Sequence, residues 1–168
     1  MSELCYFDYA ATTPVRPEAA QAMVEAMGQF GNPSSRYPWG RQAAERVKGY
    51  RETVARALGC APGEVYFTSC GTESDNWAIR KGVELNRRKG KHIVTTAIEH
   101  AAVLETCREL EGQGYEVTYL KPDKSGRITA EAVAAALRPD TALVSMMLVN
   151  NEVGSVLPVA DCVRAVKA

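Results

Sequence analysis

The stretch "FTSCGTESDN", Phe67 to Asn76, decides how this sequence is read. A β-rich run, Val65-Tyr66-Phe67-Thr68, stops at a small polar turn, and a helix-like run opens near Thr72. The amino end of a helix carries unpaired backbone N–H groups and a partial positive charge. Small residues there let an anion, a phosphate above all, approach the backbone closely. The turn is neither of the two common nucleotide loops, because G-x-x-x-x-G-K-[ST] and G-x-G-x-x-G are both absent. One glycine and one hydroxyl suit a single phosphate monoester. The same turn also reads as an ordinary N-cap, with Thr72 or Ser69 closing the helix.

Outward from this turn, helix and strand patterns alternate. On the amino-terminal side, "PEAAQAMVEAM" (17–27) places Ala20, Met23, Val24 and Met27 on one helical face, with Pro17 in the first turn. "GNPSSRYPWG" (31–40) reads as a loop. A second helix is predicted from about Arg41 to Leu58, striped by Ala43, Val47, Tyr50, Val54 and Ala57 and closed by Gly59.

On the carboxyl-terminal side, "HIVTT" (92–96) is strand-like and "HAAVLETCRELEGQG" is a helix with Val103, Cys107 and Leu110 inward. "YEVTYL" (115–120) alternates like a strand, and Thr129 N-caps the helix of "TAEAVAAAL". "TALVSMMLV" (141–149) predicts a strand buried on both faces. "PVADCVRAVKA" predicts a last helix with Val159, Cys162, Val163 and Val166 on one face.

Strands alternating with helices define an α/β fold, a mostly parallel sheet covered by helices. Such sheets bind ligands beyond the carboxyl ends of their strands. Three polar clusters are expected there: Ser69–Thr72 after the strand at 65–68, Glu99-His100 after 92–96, and Asn150-Asn151-Glu152 after 141–149. An imidazole ring is flat and carries an exchangeable proton, so His100 suits stacking on an aromatic ligand and moving a proton. It reads equally as a helix cap or a surface residue. Asn150 and Asn151 either turn the chain or bond a ligand oxygen. His92, at the end of the basic run "RRKGKH" (87–92), is read as part of a solvated loop.

Composition narrows the classes. The chain has 168 residues, 46% apolar and 24% charged, with 20 basic and 20 acidic side chains. That is an ordinary globular balance, with no attraction for nucleic acid or an acidic membrane. No run reaches the ~18 apolar residues of a membrane span, and "MSELCYFDYA" is not a secretion signal. The five cysteines (5, 60, 70, 107 and 162) include no C-x-x-C pair, which points to reduced thiols and a cytoplasmic protein. No zinc-like spacing joins them to His92 or His100, so no metal site is expected. Cys107 and Cys162 read as core and Cys60 as loop. Cys70, in the anion turn, sits where a helix amino end lowers a thiol's pKa.

Taken in order, "YFDYAATTPVRPE", "GNPSSRYPWGR", "VYFTSCGTESDNWAI", "KHIVTTAIEHAAVLETCRELE", "GYEVTYLKPDKSGRI" and "RPDTALVSMMLVNNEVGSVLPV" resemble the cysteine desulfurases, within the class V aminotransferase family of pyridoxal-phosphate enzymes. The resemblance runs from about Tyr6 to the end of the chain. It implies a three-layer α/β/α large domain of the fold type I transferases over 16–168, incomplete at its carboxyl end, after an amino-terminal segment 1–15. By resemblance, Gly71 and Thr72 bind the phosphate of pyridoxal 5'-phosphate. His100 stacks on the pyridine ring and shuttles protons, and Asn151 bonds the ring's phenolic oxygen. The implied reaction converts L-cysteine to L-alanine and passes persulfide sulfur to acceptor proteins of iron–sulfur cluster or thiocofactor synthesis. The complete enzyme is expected to be a cytoplasmic homodimer. The alternatives are another class V enzyme, a selenocysteine lyase or an aminotransferase, or a non-enzymatic binding fragment.

The sequence departs from the family pattern in three ways. Cys70 stands where the family has glycine or alanine, and the loop around Tyr37 lacks the family's frequent histidine. The H-x-D-A-x-Q and S-x-H-K segments, which supply the ring-nitrogen aspartate and the cofactor lysine, do not occur. None of Lys48, Lys81, Lys89, Lys91, Lys121, Lys124 and Lys167 lies in such a motif, and none of the five cysteines lies in the persulfide motif. The final "RAVKA" has no helix-stop residue. The chain is therefore expected to be part of a longer enzyme and inactive alone.

Overall fold

The computed structural model describes residues 5–167. The start of the amino-terminal segment, residues 1–4, and the final Ala168 lie outside the described residues. The chain forms two compact units that meet in sequence between Phe67 and Thr68.

The first unit holds two helices. Helix α1 spans Pro17–Met27, starts at its proline, and leaves its expected inward face, with Met23, Val24 and Met27, exposed. Helix α2 spans Pro38–Leu58 and stops at Gly59, whose left-handed backbone (φ 69°) turns the chain out of the helix. Of the expected α2 stripe only Ala43 is fully buried; Ala55 is the other deeply buried side chain, while Val47 and Tyr50 are exposed. Gly40 is required by contact: a Cβ there would lie 2.3 Å from the Ser35 carbonyl oxygen.

The strand expected at 65–68 does not form. A single 3-10 turn, Pro62–Glu64, leads into an extended Val65 (φ −96°, ψ 122°), and no described strand pairs with the residues that follow. The Val65 carbonyl instead accepts from the Arg51 guanidinium. Extended, β-prone residues without a neighbouring ladder remain a connector.

The second unit is a three-layer α/β/α sandwich. Strands β1 (His92–Thr96), β2 (Glu116–Leu120) and β3 (Thr141–Val144) form a parallel sheet in the order β2-β1-β3. Helices α3 (Gly71–Leu85) and α4 (Ala101–Gly112) cover one face, where Ile79, Val83, Val103, Cys107 and Leu110 pack on Ile93. Helices α5 (Ala130–Ala136) and α6 (Val159–Lys167) lie on the other, where Val133 and Cys162 pack with Ile128 and Leu157. Each large apolar side chain fully buried this way contributes about 1.5–3 kcal/mol, before the entropy of ordering it. Thr129 caps α5, its hydroxyl accepting from the Ala132 N–H at 3.2 Å.

Two expectations change here. His92 is not in a solvated loop. It is the first residue of the central strand and fully buried, because β2 and β3 close over it from both sides. Strand β3 is also shorter than 141–149. The Ser145 N–H still bonds the Val94 carbonyl (2.9 Å), but two residues later the Met147 N–H is taken by the Glu99 carboxyl group instead of the ladder. The chain then folds back on itself through the Val149–Val156 bridge.

Candidate functional site

The carboxyl ends of β1 and β3 deliver two short segments to one place. After β1 the chain turns through Ala97 and Ile98 to Glu99 and His100, and α4 begins. His100 is the α4 N-cap: its Nδ1 accepts from the Ala102 N–H at 3.1 Å. Among neutral forms, this bond places the imidazole proton on Nε2. The helix-cap reading of His100 is therefore correct, and it does not compete with a ligand role, because a cap on Nδ1 leaves Nε2 available.

After β3 come Met147, Asn150 and Asn151. An open cleft of ≈ 320 Å³ is lined by Asp75, Glu99, His100, Val103, Ser145, Met147 and Asn151, among others. His100 and Asn151, placed 51 residues apart in sequence, thus face one cavity. Gly71 and Thr72 do not line it. They form the first turn of α3, and Asp75, which does line it, stands one turn further along the same helix.

That first turn differs in detail from the expected cap. The N-cap is Cys70, and neither Ser69 nor Thr72 caps the helix with its side chain. Glu73 reaches back so that its Oε2 accepts from the Ser69 N–H (2.6 Å) and the Ser69 hydroxyl (2.7 Å); these bonds hold the carboxyl below its ordinary range. The Cys70 thiol is lowered as well, first by the Glu73 backbone N–H and then by the Ser69 hydroxyl. Among the described residues no hydrogen bond satisfies the Gly71 N–H, and a Cβ at Gly71 would meet nothing within 4 Å. An amide without a hydrogen-bond partner, at the amino end of a 15-residue helix and on a residue with open space on its Cβ side, fits a phosphate group.

Sequence reasoning placed Glu99 and Asn150 at this edge but did not foresee the bonds by which they hold the cleft together. Glu99 is 8% exposed; its Oε1 accepts from the Thr96 hydroxyl (2.7 Å) and the Met147 N–H (2.9 Å). Burial pushes its pKa up, against those two bonds, and the Asp75 carboxyl adds to the rise. Asn150 is 6% exposed and donates to the Ile98 carbonyl at 2.8 Å. Its Oδ1 accepts from the N–H groups of Glu152 (3.0 Å) and Val153 (2.9 Å). Asn150 thus turns the chain, as one reading of the pair has it, while Asn151 is exposed beside it. For Glu99, the only local sign is a carboxyl group placed three residues after a buried strand-end threonine.

A parallel sheet with polar side chains gathered beyond the carboxyl ends of its strands has the arrangement at which α/β proteins bind ligands. The chain belongs to the family described as Aminotransferase class-V, whose sequence profile matches residues 5–168. It is 53% identical over 165 residues to a cysteine desulfurase IscS of Acinetobacter baumannii, covering 95% of this chain and 41% of that protein. It is 51% identical over 157 residues to a cysteine desulfurase IscS of Methanosarcina thermophila, covering 93% of this chain and 39% of the other. The chain therefore spans about two fifths of the length of these relatives. Among solved structures, a NifS-like protein superposes with TM-score 0.91 at 41% identity, over 96% of this chain and 45% of that one. DndA from Streptomyces lividans superposes with TM-score 0.82 at 44% identity, over 98% and 46%. The three-layer sandwich is thus part of the fold type I transferase architecture that the sequence implied.

Proposed function

We propose that these residues are the amino-terminal part of a pyridoxal-phosphate-dependent cysteine desulfurase, one that converts L-cysteine to L-alanine and hands persulfide sulfur to an acceptor protein. Residues 16–168 belong to its large domain and 1–15 to its amino-terminal segment. The observation that carries this reading is the shared cleft of His100 and Asn151 beside the α3 amino end, in a chain half identical to cysteine desulfurases.

The cofactor, when bound, supplies the electron sink that lets bonds at the substrate's carbons break. The protein's part is positioning. The Gly71 and Thr72 N–H groups and the Thr72 hydroxyl hold the phosphate, helped by the positive end of α3. His100, its Nδ1 tied to the Ala102 N–H, presents its ring to the cleft with the proton on Nε2. That tautomer lets Nε2 donate a hydrogen bond into the cleft; taking up a proton would place it on Nδ1 and cost the bond from the Ala102 N–H. The Asn151 amide, which donates to the Glu152 carboxylate at 3.0 Å, would supply a hydrogen bond to the cofactor's ring oxygen.

No helix among the described residues is long and apolar enough to cross a membrane. We place the enzyme in the cytoplasm as a homodimer serving iron–sulfur cluster or thiocofactor synthesis. The 168 residues contain no S-x-H-K segment, so on this reading they do not turn over cysteine by themselves.

The test is to load the full-length enzyme with pyridoxal phosphate, supply cysteine together with a thiol reductant such as dithiothreitol, which reduces the persulfide and releases its outer sulfur as sulfide, and measure sulfide and alanine together. Equal amounts of both are expected. Transfer of the amino group to a keto acid without sulfide would make the protein an aminotransferase instead. Strong preference for selenocysteine would make it a lyase.

A further inference from the structure

The cleft is bordered by two matched pairs of neighbours in sequence, each a buried residue followed by an exposed one: Glu99 with His100, and Asn150 with Asn151. The buried members bond across to each other's segment. Glu99, on the β1 side, accepts from the Met147 N–H on the β3 side. Asn150, on the β3 side, donates to the Ile98 carbonyl on the β1 side. We propose that Glu99 and Asn150 form a reciprocal clasp that fixes His100 relative to Asn151, so that both act as positioning residues for the cleft.

The physical argument rests on direction and distance. A single bond between two loops leaves them free to pivot about it. Two bonds running in opposite senses, at points only a few residues apart on each segment, fix both separation and rotation. Each joins residues about fifty positions apart, so neither is a by-product of local turn geometry. Each is anchored further back: Glu99 on Thr96 at the end of β1, Asn150 on the Glu152 and Val153 amides. One peptide bond separates each clasp residue from its exposed neighbour, so a shift of the clasp moves His100 or Asn151 almost in full. Burial of polar groups in such a junction is tolerated when every bond is made.

This inference rests on the reading that His100 and Asn151 face the cofactor, and the experiment separates the two. The full-length enzyme is prepared as Glu99→Ala, Glu99→Gln, Asn150→Ala and the Glu99→Ala/Asn150→Ala double variant. The cofactor-independent readout is amide hydrogen exchange at Ala102, whose N–H is capped by His100. Asn150→Ala touches no residue of that cap. If the clasp positions His100, Ala102 exchange rises about tenfold, the factor expected for loss of a bond worth roughly 1.4 kcal/mol.

Glu99→Ala raises it similarly. Glu99→Gln keeps an oxygen that accepts both bonds and stays at the wild-type rate. The double variant goes little further than the larger single one, because opening either bond releases the same clasp. The cofactor readout is the visible circular dichroism of bound pyridoxal phosphate, which falls in both alanine variants and recovers in Glu99→Gln.

Unchanged Ala102 exchange in Asn150→Ala overturns the clasp. So does independent, additive loss in the double variant, or a Glu99→Gln protein that behaves like Glu99→Ala. If the wild-type protein shows no dichroic cofactor band, the cofactor reading fails, while Ala102 exchange still decides the clasp.

Discussion

His92 Nδ1 lies 2.8 Å from the Thr141 hydroxyl of the neighbouring strand, within a fully buried side chain. Its Nε2 lies 2.9 Å from the Thr118 hydroxyl on the other side, so one imidazole ties all three strands. Burial lowers the His92 pKa, with the Arg138 cation as the second cause. The folded state therefore holds this proton less readily than the unfolded chain, whose value is near 6.5. Stability rises with pH where the unfolded state binds more protons, so the His92 contribution is complete above about 6.5 and is lost as pH falls below it. Glu99, with its raised pKa, gives the opposite slope at pH above its ordinary value. The His92 effect is thus read as the difference between wild type and His92→Gln in urea unfolding from pH 7.5 to 5. The wild-type midpoint should fall more steeply than the variant's. Parallel curves would show that the ring does not sense the pH.

How much of this was legible depends on the range of the interactions. Local signals survived: Pro17 opens α1, Gly59 closes α2, Thr129 caps α5, and β1 is found over 92–96 as expected. Each rests on residues within one turn of one another. What failed is long-range. The run 65–68 carries strand composition but no partner, and composition does not say whether a ladder is present. His92 sits at the end of four basic residues in six, yet the flanking strands bury it and its ring bonds residues 26 and 49 positions away. For His100 and Asn151 the residues alone left a ligand role open beside a cap or a turn, and only resemblance tied them to a cofactor, whereas the bonds of Glu99 and Asn150 appear only once β1 and β3 lie side by side.

The cysteines should separate by environment. Cys70 is exposed at the α3 amino end with a lowered pKa, and thiolates react faster than thiols. Cys107 and Cys162 are buried; burial pushes the first up to about 11 and raises the second. Brief iodoacetamide treatment at pH 7, followed by peptide mass spectrometry, should label Cys70 and leave Cys107 and Cys162 unmodified. Pyridoxal phosphate should slow Cys70 labelling, since the phosphate would lie on the same helix turn. Equal labelling of Cys70 and Cys107 would contradict the environments described. Labelling of Cys70 that ignores the cofactor would count against the phosphate site.

Thr72→Ala tests that site by affinity. The substitution keeps the helix and the backbone N–H groups but removes the hydroxyl. Hydrogen bonds to charged groups contribute roughly 1.5–3 kcal/mol, so cofactor dissociation should strengthen by about ten- to a hundredfold. Equilibrium dialysis of the full-length enzyme measures this directly. Retention at the wild-type level would remove Thr72 from the site.

His100 caps α4 and, on the proposed reading, its ring also serves the cofactor; substitutions can split the two. As the α4 N-cap it accepts from the Ala102 N–H, and losing such a cap for alanine costs about 1 kcal/mol. In the cleft its ring would stack on the cofactor and move a proton, which no small side chain replaces. Asparagine is among the best N-cap residues, so His100→Asn should keep the cap while abolishing the ring. The expected pattern is that His100→Ala lowers both stability and turnover. His100→Asn should restore stability to within a few tenths of a kcal/mol, with turnover still reduced by 10²-fold or more, the scale of general acid–base catalysis. Thermal unfolding and sulfide release, measured on the same full-length preparations, give the two axes. Recovery of turnover together with stability in His100→Asn would show that His100 serves the helix alone, and that proton movement in the cleft belongs to another group.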